Sequence, residues 1–145
     1  MSATEFRTPV SVLVVIYSDD GQALLLRRVK PFEFWQSVTG SLRTGESHAE
    51  AAGRELFEET GLCDAGRLCY SGVSRQFVID PRWRHKFAPG VVENVEFEWH
   101  YRLPAPTNIR ICNSEHSEYC WLPIAAAAQR VWSWTNRDAL VNLRC

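Results

Sequence analysis

The stretch GSLRTGESHAEAAGRELFEETGL, Gly40 to Leu62 of the 145-residue chain, holds five glutamates. Three of them, Glu55, Glu58 and Glu59, fall within five consecutive positions. On a helix these three share an arc of roughly 100° over one turn. Like charges so spaced repel by a few tenths of a kcal/mol per pair. In the last turn of a helix the macrodipole disfavours them further. A solvated acidic face is the plain reading, but no lysine alternates with the acids here. A hard divalent cation relieves both tensions, because Mg²⁺ takes oxygen ligands and bridges carboxylates to substrate phosphates. The residues alone indicate a Mg²⁺ or Mn²⁺ site.

The elements that must position these acids show in the punctuation of the chain. Ser47 followed by Glu50 is a capping box that opens a helix, and Gly61 supplies its left-handed stop, with Leu62 behind it. Ala49, Ala52, Gly53 and Leu56 share one face, small enough to lie close on a sheet, with Glu55, Glu58 and Glu59 turned away. Val10 to Tyr17 is a continuous β-branched run, read as a strand buried on both faces. SDDG turns the chain into a second strand, Ala23 to Arg28, and Phe34 to Val38 forms a short third one. Strands are also expected over Arg67 to Ile79 and Val95 to Leu103, and a last one at YCWLP after a polar loop, Thr107 to Glu118. Ala125 to Val131 and Asn136 to Leu143 read as helical. This order implies a mixed β-sheet with helices on its faces, an α/β fold.

The segment from Gly40 reads glycine, five residues, glutamate, seven residues, then R-E-Leu-x-E-E-x-G-Leu. It resembles the Nudix box, and Gly40, Glu46, Arg54, Glu55, Leu56, Glu58, Glu59, Gly61 and Leu62 each match it. The resemblance implies an α/β/α sandwich in which this loop and helix carry catalytic metals. It implies Glu55, Glu58 and Glu59 as metal ligands, with the Gly40 carbonyl as a further one. Arg54 would hold a glutamate in place through charge-assisted hydrogen bonds, and Glu46 would support the loop or metal shell.

Outside the box, PVSVLVVIY, FWQSVTGS, RHKFAPGV, SEHSEYCWL and WSWTNR resemble one bacterial Nudix subfamily of folate synthesis. Its members remove pyrophosphate from 7,8-dihydroneopterin triphosphate and leave the monophosphate. The likeness implies Glu115 as general base, with Glu118 a nearby competitor. Arg84, His85 and Lys86 would embrace the triphosphate, or else form a solvated basic loop. Trp35 would stack on the pterin ring and Gln36 would read its amide-like edge, unless both pack against the sheet. Glu96 either faces the metal cluster or is an ordinary outward residue of its strand. Trp99, Trp121, Trp132 and Trp134 are expected in the core or in helix packing, and no histidine is assigned to a metal.

Composition bounds the alternatives. The chain is 46% hydrophobic and 23% charged with a net charge of −1, which gives no general affinity for nucleic acid or an anionic membrane. Cys63, Cys69, Cys112, Cys120 and Cys145 have no CxxC spacing, so neither a disulfide framework nor a structural zinc site is expected. No signal-peptide pattern opens the chain, and VLVVIY is too short to span a bilayer. One cytoplasmic domain, residues 1–145, acting on a small-molecule triphosphate is the expectation. The nearest rival is a Nudix pyrophosphohydrolase that clears non-canonical nucleoside triphosphates. A Nudix-fold binding module without catalysis would have lost acids from the box, and none is missing. Removal of pyrophosphate from RNA 5′ ends would favour a broad basic groove, which the net charge does not suggest.

Overall fold

The computed structural model describes residues 5–143, so Cys145 and the first four residues of the N-terminal stretch lie outside the described residues. The β-branched run becomes β1 (Val10–Ser18), buried from Ser11 onward. It lies parallel to β6 (Glu93–Leu103) from Val10↔Val95 to Ser18↔Leu103. Its first half pairs with β4 (Val38–Ser41), antiparallel from Ser11↔Ser41 to Val14↔Val38. It meets β2 (Gln22–Arg28) only at Tyr17↔Ala23. β2 takes β3 (Phe34–Gln36) and β7 (His116–Pro123) as its own antiparallel partners, and β5 (Leu68–Val78) pairs with β6. The mixed sheet thus forks.

Period-2 alternation along β1 divides the core. Val12, Val14 and Ile16 pack with Leu24, Leu26 and Tyr101 beneath α1 (His48–Thr60). Leu13 and Val15 pack with Ala23 and Leu25 beneath α2 (Ile124–Arg130) and α3 (Trp134–Val141). The result is a three-layer α/β/α sandwich.

Three expectations change. The single strand Phe34 to Val38 is two strands that switch partner at Ser37. There the Asn136 Oδ1 accepts from the Ser37 N–H at 2.8 Å and its Nδ2 donates to the Ser37 hydroxyl at 2.9 Å. The polar loop is shorter, because β7 starts at His116, where cross-strand pairing with β2 offsets the polar composition. The packing face of α1 comprises Ala51, Ala52, Leu56, Glu59 and Thr60, while Ala49 is exposed. An i, i+4, i+7, i+8 stripe that begins at Ala52 runs on into two polar residues, which hid it from an apolar count. Glu59 is therefore not turned away from the sheet.

Candidate active site

The capping box fixes where α1 begins. The Ser47 hydroxyl accepts from the Glu50 N–H at 3.1 Å, and the Glu50 carboxylate accepts from the Ser47 N–H at 2.9 Å. Gly61 ends the helix at φ +79°, donating its N–H to the Phe57 carbonyl at 2.8 Å. Between these ends Arg54 gathers three acids. Its Nε and Nη2 grip the two Glu46 oxygens at 2.7 and 2.9 Å. Its Nη1 lies 3.0 Å from Glu58 and 3.1 Å from Glu55, and its Nη2 donates to the Ser41 carbonyl at 3.1 Å. The Arg54 guanidinium holds the Glu46 carboxyl down at about 2. Loop and helix are thereby tied into one rigid unit.

The box acids separate by environment. Glu58 is 44% exposed and also pairs with Arg43 at 3.2 Å. Glu59 is only 2% exposed, and both of its oxygens are buried without a hydrogen-bond partner among the described residues. Burial, then the adjacent Glu55, pushes its carboxyl well above the usual range, and burial raises Glu55 too. Glu115 and His116 meet Glu59 from the other side, and ligand atoms of the three lie within 4.8 Å of one another. Burial, then Arg28, pulls His116 down to about 4. Its 3.6 Å approach to Glu59 is thus a contact between two groups whose charged forms burial disfavours. Uncompensated carboxylate oxygens beside a neutral imidazole fit a divalent cation, which satisfies the lone pairs and removes the repulsion.

Beside this centre a cavity of about 1060 Å³ opens where the sheet forks. Glu55, Glu58, Glu115, Arg7 and Arg28 line one part of it. Arg28 ends β2 at a bulge against β7, which places it opposite His116. Burial and Arg28 pull the Arg7 guanidinium below its ordinary range, so two cations crowd this wall. The other part is aromatic, with Phe34, Trp83 and Trp132 within 5.8 Å of one another by ring centroid. Asn94 and Glu96 add a polar floor.

Several residues stand elsewhere than sequence implied. Phe34 and Gln36 line the cavity, whereas Trp35 points into the opposite layer with Leu25 and Ala127, its ring 5.7 Å from the Arg130 guanidinium. Strand alternation dictates this, so Trp35 is no stacking platform for a cavity ligand. Gln36 is buried, its amide 3.2 Å from the His116 Nε2. Glu118 faces Arg27 across β2 at 3.9 Å and does not line the cavity. Arg84 and His85 are exposed and outside the lining, because the Arg84 guanidinium donates to the Ile79 carbonyl at 3.0 Å. Lys86 lies near Arg7, Arg28 and Glu115, and its carbonyl accepts from the Arg7 N–H at 2.7 Å. Glu96 faces the α3 layer rather than the acidic centre, and Thr135 hydrogen-bonds its carboxyl. Trp132 and Trp134, expected in packing, are nearly half exposed on the cavity rim. Sequence reasoning missed Arg7, Arg28 and His116. Only SEHSEYCWL, which contains His116, carried any signal for them.

A NUDIX domain match covers residues 7–143. The chain belongs to the Nudix family. It is 42% identical over 139 residues to a dihydroneopterin triphosphate diphosphatase of Escherichia coli strain K12, across 93% of this chain and 91% of the relative. It is 34% identical over 148 residues to the enzyme of that name from Haemophilus influenzae, across 97% and 92%. The solved structure of the E. coli dihydroneopterin triphosphate pyrophosphohydrolase superposes with a TM-score of 0.87 at 40% identity, covering 93% and 94% of the two chains. The α/β/α sandwich is thus the Nudix fold, and the chain is a hydrolase of phosphoanhydride bonds. Nudix hydrolases generally use divalent metals, which the donor set around Glu59 suits. Among the described residues no helix is long and apolar enough to cross a membrane.

Proposed function

We propose that this Nudix hydrolase is a Mg²⁺-dependent pyrophosphohydrolase that converts 7,8-dihydroneopterin triphosphate and water into the monophosphate and pyrophosphate. The observation that carries this reading is the continuity of the cavity. One space joins an acidic centre and two arginines to an aromatic wall with a polar floor. A flat heterocycle with a triphosphate tail needs both ends. The likeness to the E. coli enzyme over nearly the whole chain supports the same substrate.

Glu55 and Glu59 would hold the Mg²⁺, with Glu58 and the Gly40 carbonyl as further candidates. The ion would neutralise charge that develops on the phosphoryl oxygens. Arg7 and Arg28, with Lys86 behind them, offset the remaining phosphate charge from the far side. Glu115 stands at the cavity from the loop before β7 and takes the proton of the attacking water. The water oxygen joins phosphorus as the anhydride between the α and β phosphates breaks, and pyrophosphate leaves. Arg54 and Glu46 keep α1 and its loop in register. The four described cysteines are free, which suits a reducing cytoplasm.

The deciding experiment is Mg²⁺-dependent kcat/KM on dihydroneopterin triphosphate beside dGTP, dATP and 8-oxo-dGTP, with products identified by phosphorus NMR. Clear preference for the pterin with pyrophosphate released is expected. Equal or better rates on the nucleotides would move the function to nucleotide clearance.

A further inference from the structure

Two residues of the cavity lining carry polar atoms that the fold leaves unsatisfied. Asn94 and Glu96 stand two apart on β6, so their side chains project to the same side of the strand. Both residues line the cavity, and they are 3% and 6% exposed. The Asn94 Oδ1 and the Glu96 Oε1 are buried with no hydrogen-bond partner among the described residues. A buried acceptor left without a partner loses its hydration with nothing in return, so two on one strand face need a reason.

Their orientation is set by neighbours. The Asn94 Nδ2 donates to the Ser11 hydroxyl at 2.8 Å and to the Val95 carbonyl at 3.3 Å. A carbonyl only accepts, which assigns the nitrogen to that side and leaves Oδ1 as the free acceptor. On Glu96, Thr135 satisfies part of the carboxyl. Ser133 in turn lies 2.8 Å from the Thr135 hydroxyl, so the start of α3 holds the group in place. Neither acid nor amide belongs to the acidic centre on the α1 side. The lining of one cavity thus holds two fixed acceptors together with the aromatic side chains of Phe34, Trp83 and Trp132.

We infer that Asn94 and Glu96 read the substrate ring, their free oxygens accepting hydrogen bonds from the 2-amino group and adjacent ring N–H of a 2-amino-4-oxo heterocycle. This rests on the pterin reading above and assigns its specificity to particular residues. A heterocycle that carries a carbonyl where the pterin has its amino group would set oxygen against oxygen there, which the site rejects.

Calorimetric titration of the whole chain with pterin and with lumazine, which has a carbonyl in place of the 2-amino group, tests this. The wild type is expected to bind pterin at least about 10-fold tighter than lumazine. Glu96→Gln, which turns an acceptor into a donor, is expected to shrink that ratio about 10-fold. Asn94→Ser acts in the same direction and decides the matter should the first variant not fold. On dihydroneopterin triphosphate the loss should appear mainly in KM. Variants that keep the wild-type ratio, or a wild type that binds both rings alike, would overturn the inference. Pyrophosphate release from the pterin triphosphate, measured separately, keeps the two readings apart. Turnover without ring discrimination sinks the floor alone, and discrimination without turnover sinks the proposed substrate alone while supporting the floor.

Discussion

The Glu55 carboxylate occupies the space in which a Cβ on Gly40 would stand. The first glycine of the box is thus a matter of room, since β4 and α1 touch through an acid that needs the place of a side chain. Gly40→Ala should displace Glu55 from the acidic centre while β4 still pairs with β1. A misplacement of that size costs on the order of 100-fold in kcat. A methyl added at Gly53, on the same helix, would meet nothing within 4 Å, so Gly53→Ala should raise stability by about 0.5–1 kcal/mol. Steady-state kinetics and urea melts on the two variants check this contrast, and equal effects would refute it.

Glu58 and Glu59 are neighbours in sequence with opposite surroundings. Glu59 is buried against Glu115 and His116, and Glu58 is an exposed partner of two arginines. Glu59→Gln should lower kcat by about 100- to 1000-fold. Glu58→Gln should lower it less. In metal-free buffer Glu59→Gln should also raise the melting temperature, because it removes an uncompensated acid from the interior. Melting that falls for Glu59→Gln without metal would argue against a centre built to be completed by a cation.

The box, its cap and its stop were legible because each depends on local chemistry: Ser47 with Glu50, Gly61 after the last turn. Strands β1, β2 and β6 were legible for the same reason, their β-branched and alternating runs being local, whereas the partner switch at Ser37 and the early start of β7 were not. The side from which the acids work was not. Glu59 lies on the packing stripe of α1, a fact set by how the helix rests on β1 rather than by its own composition. The cations that line the cavity were not legible for a similar reason. Arg84 and His85 look basic and accessible, and they are, but the fork in the sheet turns Arg28 inward through a bulge that no residue type announces. Tertiary direction was the missing information.

Trp35 and Trp132 exchange the roles their sequence contexts suggest. Trp132 stands 5.4 Å from Phe34 and from Trp83 by ring centroid on the open wall of the cavity. Trp132→Ala should raise KM for the pterin triphosphate about 10-fold with a smaller change in kcat. Trp35→Ala should instead lower stability by about 2–3 kcal/mol, since it empties a half-buried site under α2. Paired kinetic and urea measurements separate them. A KM effect confined to Trp35→Ala would reverse the assignment.

Glu96 gives a stability effect whose sign is fixed by its surroundings. Burial pushes its carboxyl up to about 7, against 4.5 when unfolded. A group raised on folding contributes stability that is fully present below the unfolded value and is lost as pH rises through the folded one. The window therefore runs from about 4.5 to about 7, and the loss across it is about 3 kcal/mol. His116 works the other way, since its depression to about 4 gives stability that is lost as pH falls. Glu96→Gln removes only the first of these effects. Urea unfolding without metal should therefore show the wild type gaining about 3 kcal/mol relative to Glu96→Gln between pH 8 and pH 4.5. A difference that stays constant across that range would mean that Glu96 is already charged at acid pH, and that the floor of the cavity is wetter than its buried oxygens indicate.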